Sequence, residues 1–255
     1  MVVLTFGDVV GAAGCDYFRL QLPALKKRYG ADVVVVNGEN SAEGNGILPG
    51  SAKHLRDSGA DVITTGNHAL RRREVWELLD KKDGIIRPAN YHPDAPGCGV
   101  YTYDAGRIRL CVVNIQGRVY MDTHESPFDC IDRLLPDIDT PNILVDFHAE
   151  ATSEKECMGF YLDGKVSAVV GTHTHVPTAD ARVLANGTGY ITDLGMCGGL
   201  NSVLGVTVDK ALYRMRTGLP VRFETAREEL RLSGAAIEID EKSGRCLSME
   251  SFALL

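Results

Sequence analysis

The chain has 255 residues, 44% hydrophobic and 24% charged, the balance of a soluble globular protein, and no stretch approaches the ~18 apolar residues of a membrane span. A net charge of −7 disfavours general binding to duplex nucleic acid, which needs a basic face. Seven scattered cysteines, never spaced Cys-x-x-Cys, argue against a disulfide framework and a structural zinc site. The apolar N-terminal run is too short for a signal peptide and meets Asp8; the chain reads as cytoplasmic. Residues 2–6 read as a buried strand, followed by the loop Gly7-Asp8-Val9-Val10-Gly11. Asp16 is placed to cap a helix with the apolar face Phe18, Leu22, Leu25 and Tyr29, and Pro23 inside it predicts a kink or break. Residues 32–36 form a second strand and lead into a long loop through Gly44-Asn45-Gly46. Pro49 opens a helix that runs to Ser58 and stops at Gly59. Residues 61–65 are a third strand and 74–82 a helix, with Val75, Leu78 and Leu79 on one face. This β-α-β-α-β-α order predicts a largely parallel sheet.

The middle of the chain differs. Residues 100–103 and 108–113 flank Ala105-Gly106 and read as a hairpin, 127–135 as a helix and 142–147 as a strand. Ser153-Glu154-Lys155-Glu156 fits a capping box and starts the next helix. The apolar run 166–170 is another strand. Asn186-Gly187 is a turn signal between the strands 182–184 and 189–192. A short helix at 209–216 and a last hairpin, 235–239 with 245–252, close the chain. No repeat, low-complexity tract or linker interrupts it, so residues 1–255 read as one domain.

One grammar recurs: an apolar run, then a short cluster of polar residues of metal-ligand type. Residues 4–6 lead into Gly7-Asp8, and 33–36 into Asn37-Gly38-Glu39-Asn40. Residues 62–65 lead into Gly66-Asn67-His68, and 143–145 into Asp146-Phe147-His148. The run 166–170 leads into Gly171-Thr172-His173-Thr174-His175, where an extended backbone would point both imidazoles to one side. Strand ends thus deliver Asp8, Glu39, Asn40, Asn67, His68, His148, His173 and His175.

That composition suits two divalent ions held close together, which polarise a phosphoryl group and generate hydroxide near neutral pH. Carboxylate, imidazole and amide oxygen are the right donors for manganese, iron or zinc. Asp8 and Glu39 bring two negative charges against a nominal +4, which leaves a positive centre for a phosphodiester anion. His68 follows Asn67 directly, and neighbours in sequence do not easily serve one ion. His68 is therefore the candidate proton donor to a leaving oxygen.

Gly7-Asp8, Asn37-Gly38-Glu39-Asn40, Gly66-Asn67-His68, Asp146-Phe147-His148-Ala149-Glu150 and Gly171-Thr172-His173-Thr174-His175-Val176-Pro177-Thr178 resemble the calcineurin-like metallophosphoesterase superfamily. More narrowly they resemble its bacterial YmdB-like branch, which acts on 2',3'-cyclic nucleotides, and Ile191-Thr192-Asp193-Leu194-Gly195-Met196 fits that branch too. The resemblance implies a four-layer αββα sandwich with mixed sheets and a dinuclear centre of iron or manganese. It implies that Asp8, Glu39, Asn40 and His175 hold one ion. Glu39, Asn67, His148 and His173 would hold the other, with Glu39 bridging and His68 as the proton donor. Val10 stands where the wider superfamily has a histidine, and Glu39 where it has an aspartate. Both departures suit the narrower branch, with Asn40 supplying the missing ligand.

The expected activity is phosphodiester hydrolysis by metal-activated hydroxide, with a 2',3'-cyclic nucleotide as the small substrate. A phosphomonoesterase or nucleotidase with the same centre is the alternative among enzymes. A regulatory or RNA-contacting module is the alternative outside them. The resemblance also suggests an assembly of identical copies. Asp146, Glu150, Asp180 and Asp193 are candidates to orient imidazoles, and Arg118 to contact a phosphate. His54, His92 and His124 read as surface residues. No Gly-x-Ser-x-Gly elbow or Walker-type loop appears.

Overall fold

The computed structural model describes all residues 1–255. Strands β1 (Val2–Phe6), β2 (Asp8–Val9), β3 (Val33–Asn37) and β4 (Val62–Thr64) alternate with helices α1 (Gly11–Tyr29) and α2 (Pro49–Asp57). A 3-10 turn, Arg73–Val75, leads into α3 (Trp76–Asp80). Then come β5 (Val100–Asp104), β6 (Arg109–Gln116), α4 (Pro127–Leu134), β7 (Ile143–His148), α5 (Thr152–Tyr161) and β8 (Ala168–Thr172). The chain ends with β9 (Arg182–Val183), β10 (Gly189–Ile191), β11 (Met196–Gly199), α6 (Val208–Thr217), β12 (Leu230–Ile239) and β13 (Cys246–Leu254). No helix is long and apolar enough to cross a membrane, and all seven cysteines are free thiols.

The strands form two mixed sheets. One has the order β2-β11-β12-β1-β3-β4, with β13 also paired to β12. The other has the order β5-β6-β7-β8-β10-β9. In the first, β1, β3 and β4 are parallel, as the βαβ pattern predicts, while β12 runs antiparallel to β1. In the second, β6, β7, β8 and β10 are parallel, with antiparallel edges at β5 and β9.

Strand periodicity explains the layers. In β3, Val33 and Val35 join a core cluster shared with Val112, Leu144 and Val170 of the other sheet. Val34 and Val36 face the opposite way, into Phe18, Leu22 and Leu25 of α1 and Leu55 of α2. Both faces are covered, so the strand is an unbroken valine run rather than an alternating one. On the far side, Val113, Val145 and Phe147 pack with Ile131 of α4 and Met158 of α5. Helices, sheet, sheet, helices is the four-layer αββα sandwich expected from the motifs.

Four local expectations are corrected. Helix α1 starts at Gly11, so Asp16 lies inside it and caps nothing. Gly14 permits the early start: a Cβ there would lie 2.3 Å from the Cys197 carbonyl oxygen, so only glycine lets the first turn rest on β11. The helix continues through Pro23; both Pro23 and Arg19, whose carbonyl loses its partner, are exposed, so water can satisfy it. Helix α5 has Ala151 as its N-cap, and Ser153 lies within it. Glu154 instead turns its buried carboxylate to the backbone N–H groups of Arg118 and Val119. Finally, the loop after β1 contains a strand. Asp8–Val9 pairs with Met196–Cys197, a pairing without the apolar pattern that marks longer strands.

Candidate metal centre

The polar clusters at the strand ends meet where the two sheets adjoin. Asp8 and Glu39 are 0% and 1% exposed, and no lysine or arginine forms an ion pair with either; their charged partners are histidines. Glu39, His148 and His173 each bring a ligand-type atom within 4.8 Å of the others. Glu39 Oε1 lies 3.2 Å from His148 Nε2, Asn67 Oδ1 lies 3.0 Å from the same nitrogen, and His173 Nδ1 lies 3.1 Å from it. Beside this group, His175 Nε2 lies 3.7 Å from Asp8 Oδ1.

The outward nitrogen of each of these imidazoles faces an acceptor. Thr172 Oγ1 donates to Asp146 Oδ1 at 2.7 Å, so it is free to accept from His148 Nδ1–H at 2.9 Å. Thr64 Oγ1 and Asn37 Nδ2 donate to the other oxygen of Asp146. His175 Nδ1 donates to the Leu204 carbonyl oxygen at 2.9 Å, and His173 Nε2 faces Glu150 Oε2 at 3.0 Å. These contacts occupy the outer nitrogens and turn His148 Nε2, His173 Nδ1 and His175 Nε2 inward, the atoms that become ligands once a metal displaces any proton they carry.

The electrostatics agree. Burial opposes the charge on Glu39, but His148 and His68 outweigh it and hold the carboxyl well below the usual range. Burial is likewise outweighed at Asp8, chiefly by the His175 hydrogen bond, and its pKa is lowered. Burial alone would lower His148, yet the Glu39 and Asp8 carboxylates raise it to about 9. His173 is pushed down by burial and by neighbouring His148. Two buried carboxylates draw positive charge into the cluster, a proton on His148 or a metal in its place, and oxygen and imidazole donors fit divalent ions.

Asn40 and His68 sit at the rim. The Asn40 amide nitrogen faces Asp8 Oδ1 at 3.4 Å, Glu39 Oε1 at 3.2 Å and His175 Nε2 at 3.2 Å, so a ligand role needs the amide turned to present its oxygen. His68 Nδ1 lies 3.1 Å from Asn40 Oδ1, and its backbone N–H donates to Glu39 Oε2 at 2.9 Å. A cavity of about 360 Å³ opens onto Glu39, His68, His173 and His175.

The backbone at the two late histidines is not extended. His173 and His175 have φ of 107° and 64°, a region that non-glycine residues rarely adopt. They reach one site because the backbone of this segment is pinned at His173 and Thr174. The Thr174 N–H donates to Asp193 Oδ2 at 3.1 Å, and the His173 N–H to Asp8 Oδ2 at 3.1 Å. Asp193 is held by a buried ion pair with Lys155 Nζ at 2.6 Å.

Of the candidate orienting acids, Asp146, Glu150 and Asp193 contact the cluster or its loop. Asp180 instead binds Thr192. Arg118 is exposed and absent from the cavity wall. His54 pairs with Asp16, and His92 with His124, away from the centre. Lys155, Thr172 and the Leu204 carbonyl escaped sequence reasoning. Thr172 stood inside the Gly-Thr-His motif and was readable there; a lysine in the first turn of a helix and a backbone carbonyl carry no such signal.

A model of the family described as YmdB-like protein matches residues 4–252. The chain is 43% identical over 252 residues to the 2',3'-cyclic-nucleotide 2'-phosphodiesterase of Bacillus subtilis (strain 168), covering 98% of this chain and 96% of that one. A crystal structure of a hypothetical protein from Thermus thermophilus matches with a TM-score of 0.94 and 41% identity, covering 100% and 99% of the two chains. That of a novel phosphatase from Mycoplasma pneumoniae matches with a TM-score of 0.92 and 32% identity, covering 100% and 93%.

Proposed function

The chain belongs to the YmdB-like protein family, and from that premise we propose that it is a metal-dependent phosphodiesterase that opens 2',3'-cyclic nucleotides, the reaction named for its Bacillus subtilis relative. The observation that carries this reading is the inward-facing ring nitrogen on each of His148, His173 and His175, its opposite nitrogen held by an acceptor, beside two buried carboxylates that no lysine or arginine neutralises.

Asp8, Glu39, Asn40 and His175 would hold one divalent ion, and Glu39, Asn67, His148 and His173 a second, with Glu39 shared. Iron or manganese suits these donors, and zinc is accepted by them as well. Bound there, such ions supply Lewis acidity toward the phosphoryl oxygens and a water-derived nucleophile near neutral pH. The protein's own groups do the rest. Asp8 and Glu39 neutralise only part of the ions' charge, because the amide and imidazole donors are neutral, and the pocket stays attractive to a phosphodiester anion. Anchoring of His68 Nδ1 on Asn40 leaves Nε2 as the nitrogen that gives up a proton. A water oxygen bonds to phosphorus, the bond from phosphorus to the ribose 2'-oxygen breaks, and that oxygen takes the proton from His68. The product is a 3'-monophosphate.

The test is the fate of 2',3'-cyclic AMP with the metal-loaded protein. Conversion to 3'-AMP that stops there supports the reading. Inorganic phosphate released from nucleoside monophosphates, with the cyclic diester left intact, would establish the monoesterase alternative.

A further inference from the structure

The cavity beside the cluster is also lined by apolar side chains that cannot ligate a metal. They include Leu204, Val206 and Phe223, with Asn45 beside them. Phe223 is 49% exposed and is the one benzenoid ring lining this cavity. It also borders a larger open groove of about 1160 Å³, so it stands between the metal-type cluster and the way out.

Single exposed aromatic residues are ordinary on protein surfaces. This one differs in how it is tied to the site. Val206 and Thr225 form an antiparallel bridge, Thr207 N–H donates to the Glu224 carbonyl at 2.9 Å, and Ala226 N–H donates to the Gly205 carbonyl at 2.8 Å. The strip after Phe223 is therefore fastened to the strip after Leu204. The Leu204 carbonyl in turn fixes the His175 imidazole. Phe223 is thereby linked by backbone hydrogen bonds to the segment that orients a metal-type histidine.

We propose that this wall is the nucleoside subsite, with Phe223 as the face on which the substrate's base stacks while its cyclic phosphate lies at the Glu39, His148 and His173 cluster. The proposal rests on the phosphodiesterase reading and adds the residue that makes the substrate a nucleotide rather than any phosphodiester. A stacking face tolerates every base, because each has a π-surface, so purines are favoured over pyrimidines by area and no base is excluded.

The experiment compares kcat/KM for 2',3'-cyclic AMP with that for the base-free 1-O-methylribose 2,3-cyclic phosphate, in metal-loaded wild type and in Phe223→Ala. The ratio of the two should fall roughly 5- to 150-fold in the variant, the worth of one base–aromatic stack, mainly through KM. Phe223→Trp should restore it. An unchanged ratio overturns the proposal. Equal losses on both substrates do so as well, and a shift in sedimentation of the variant would then place the ring in a contact between copies. If the wild type opens neither substrate, the phosphodiesterase reading has failed and the subsite falls with it.

Discussion

His148 Nε2 and His173 Nδ1 face each other across 3.1 Å, while the opposite nitrogen of each ring is turned to an acceptor, Thr172 Oγ1 for one and Glu150 Oε2 for the other. A proton on His148, whose pKa the Glu39 and Asp8 carboxylates raise to about 9, or a bound cation satisfies two ring nitrogens this close. The bonds on the outer side of each ring therefore shape the cluster as much as the inward groups do.

Thr172→Val keeps the shape of the side chain and removes the acceptor that fixes the His148 tautomer. Metal affinity should fall roughly 10- to 100-fold, the usual cost of losing such a support, with the fold retained. Competition against a chromophoric chelator, together with circular dichroism, checks this.

Gly66 lies beneath the cluster, where a Cβ would come within 2.2 Å of His148 Nε2 and 2.5 Å of Glu39 Oε2. Gly66→Ala should displace both ligand-type groups, so metal content and turnover are lost together. A variant that kept full metal content and activity would show that the cluster absorbs the added methyl without losing its geometry.

Lys155 and Asp193 form a buried ion pair remote in sequence from each other. Lys155→Met leaves the aspartate unpaired and should cost about 3–5 kcal/mol in denaturant unfolding. Adding Asp193→Leu should recover only part of that stability: it removes the unpaired charge but leaves the Thr174 and Gly195 N–H groups without their acceptor. It should not recover activity, since Asp193 also holds the Thr174 and Gly195 N–H groups.

His68→Ala should leave metal content unchanged and reduce turnover roughly 10²- to 10⁴-fold, the span of a lost general acid. Metal analysis of the same preparation separates this outcome from the Gly66→Ala one. Full turnover in His68→Ala would remove His68 from the proposed mechanism.

Much of this site was legible because strand ends announce themselves. The valine run before Asn37-Gly38-Glu39-Asn40 is apolar on both faces, and its polarity changes where the sheet ends. The same change precedes Asn67, His148 and His173. What stayed hidden depends on contacts between distant residues. The β2–β11 pairing joins two short segments far apart in the chain and has no periodicity of its own. The start of α1 depends on Gly14 meeting the Cys197 carbonyl, a fact of packing rather than of capping chemistry. Alternation along an extended strand would bring His173 and His175 to one side, yet both adopt positive φ and are held by Asp8, Asp193 and Leu204. Sequence spacing led to the right neighbourhood there by a geometry the backbone does not use.

Whether these residues form a working divalent metal centre is decided by turnover of 2',3'-cyclic AMP by chelator-stripped protein titrated with manganese or ferrous iron. Activity should be absent after stripping and should return with saturation near two equivalents per chain, as a paired-metal site requires. Full activity in stripped protein with no residual metal would contradict a metal centre here.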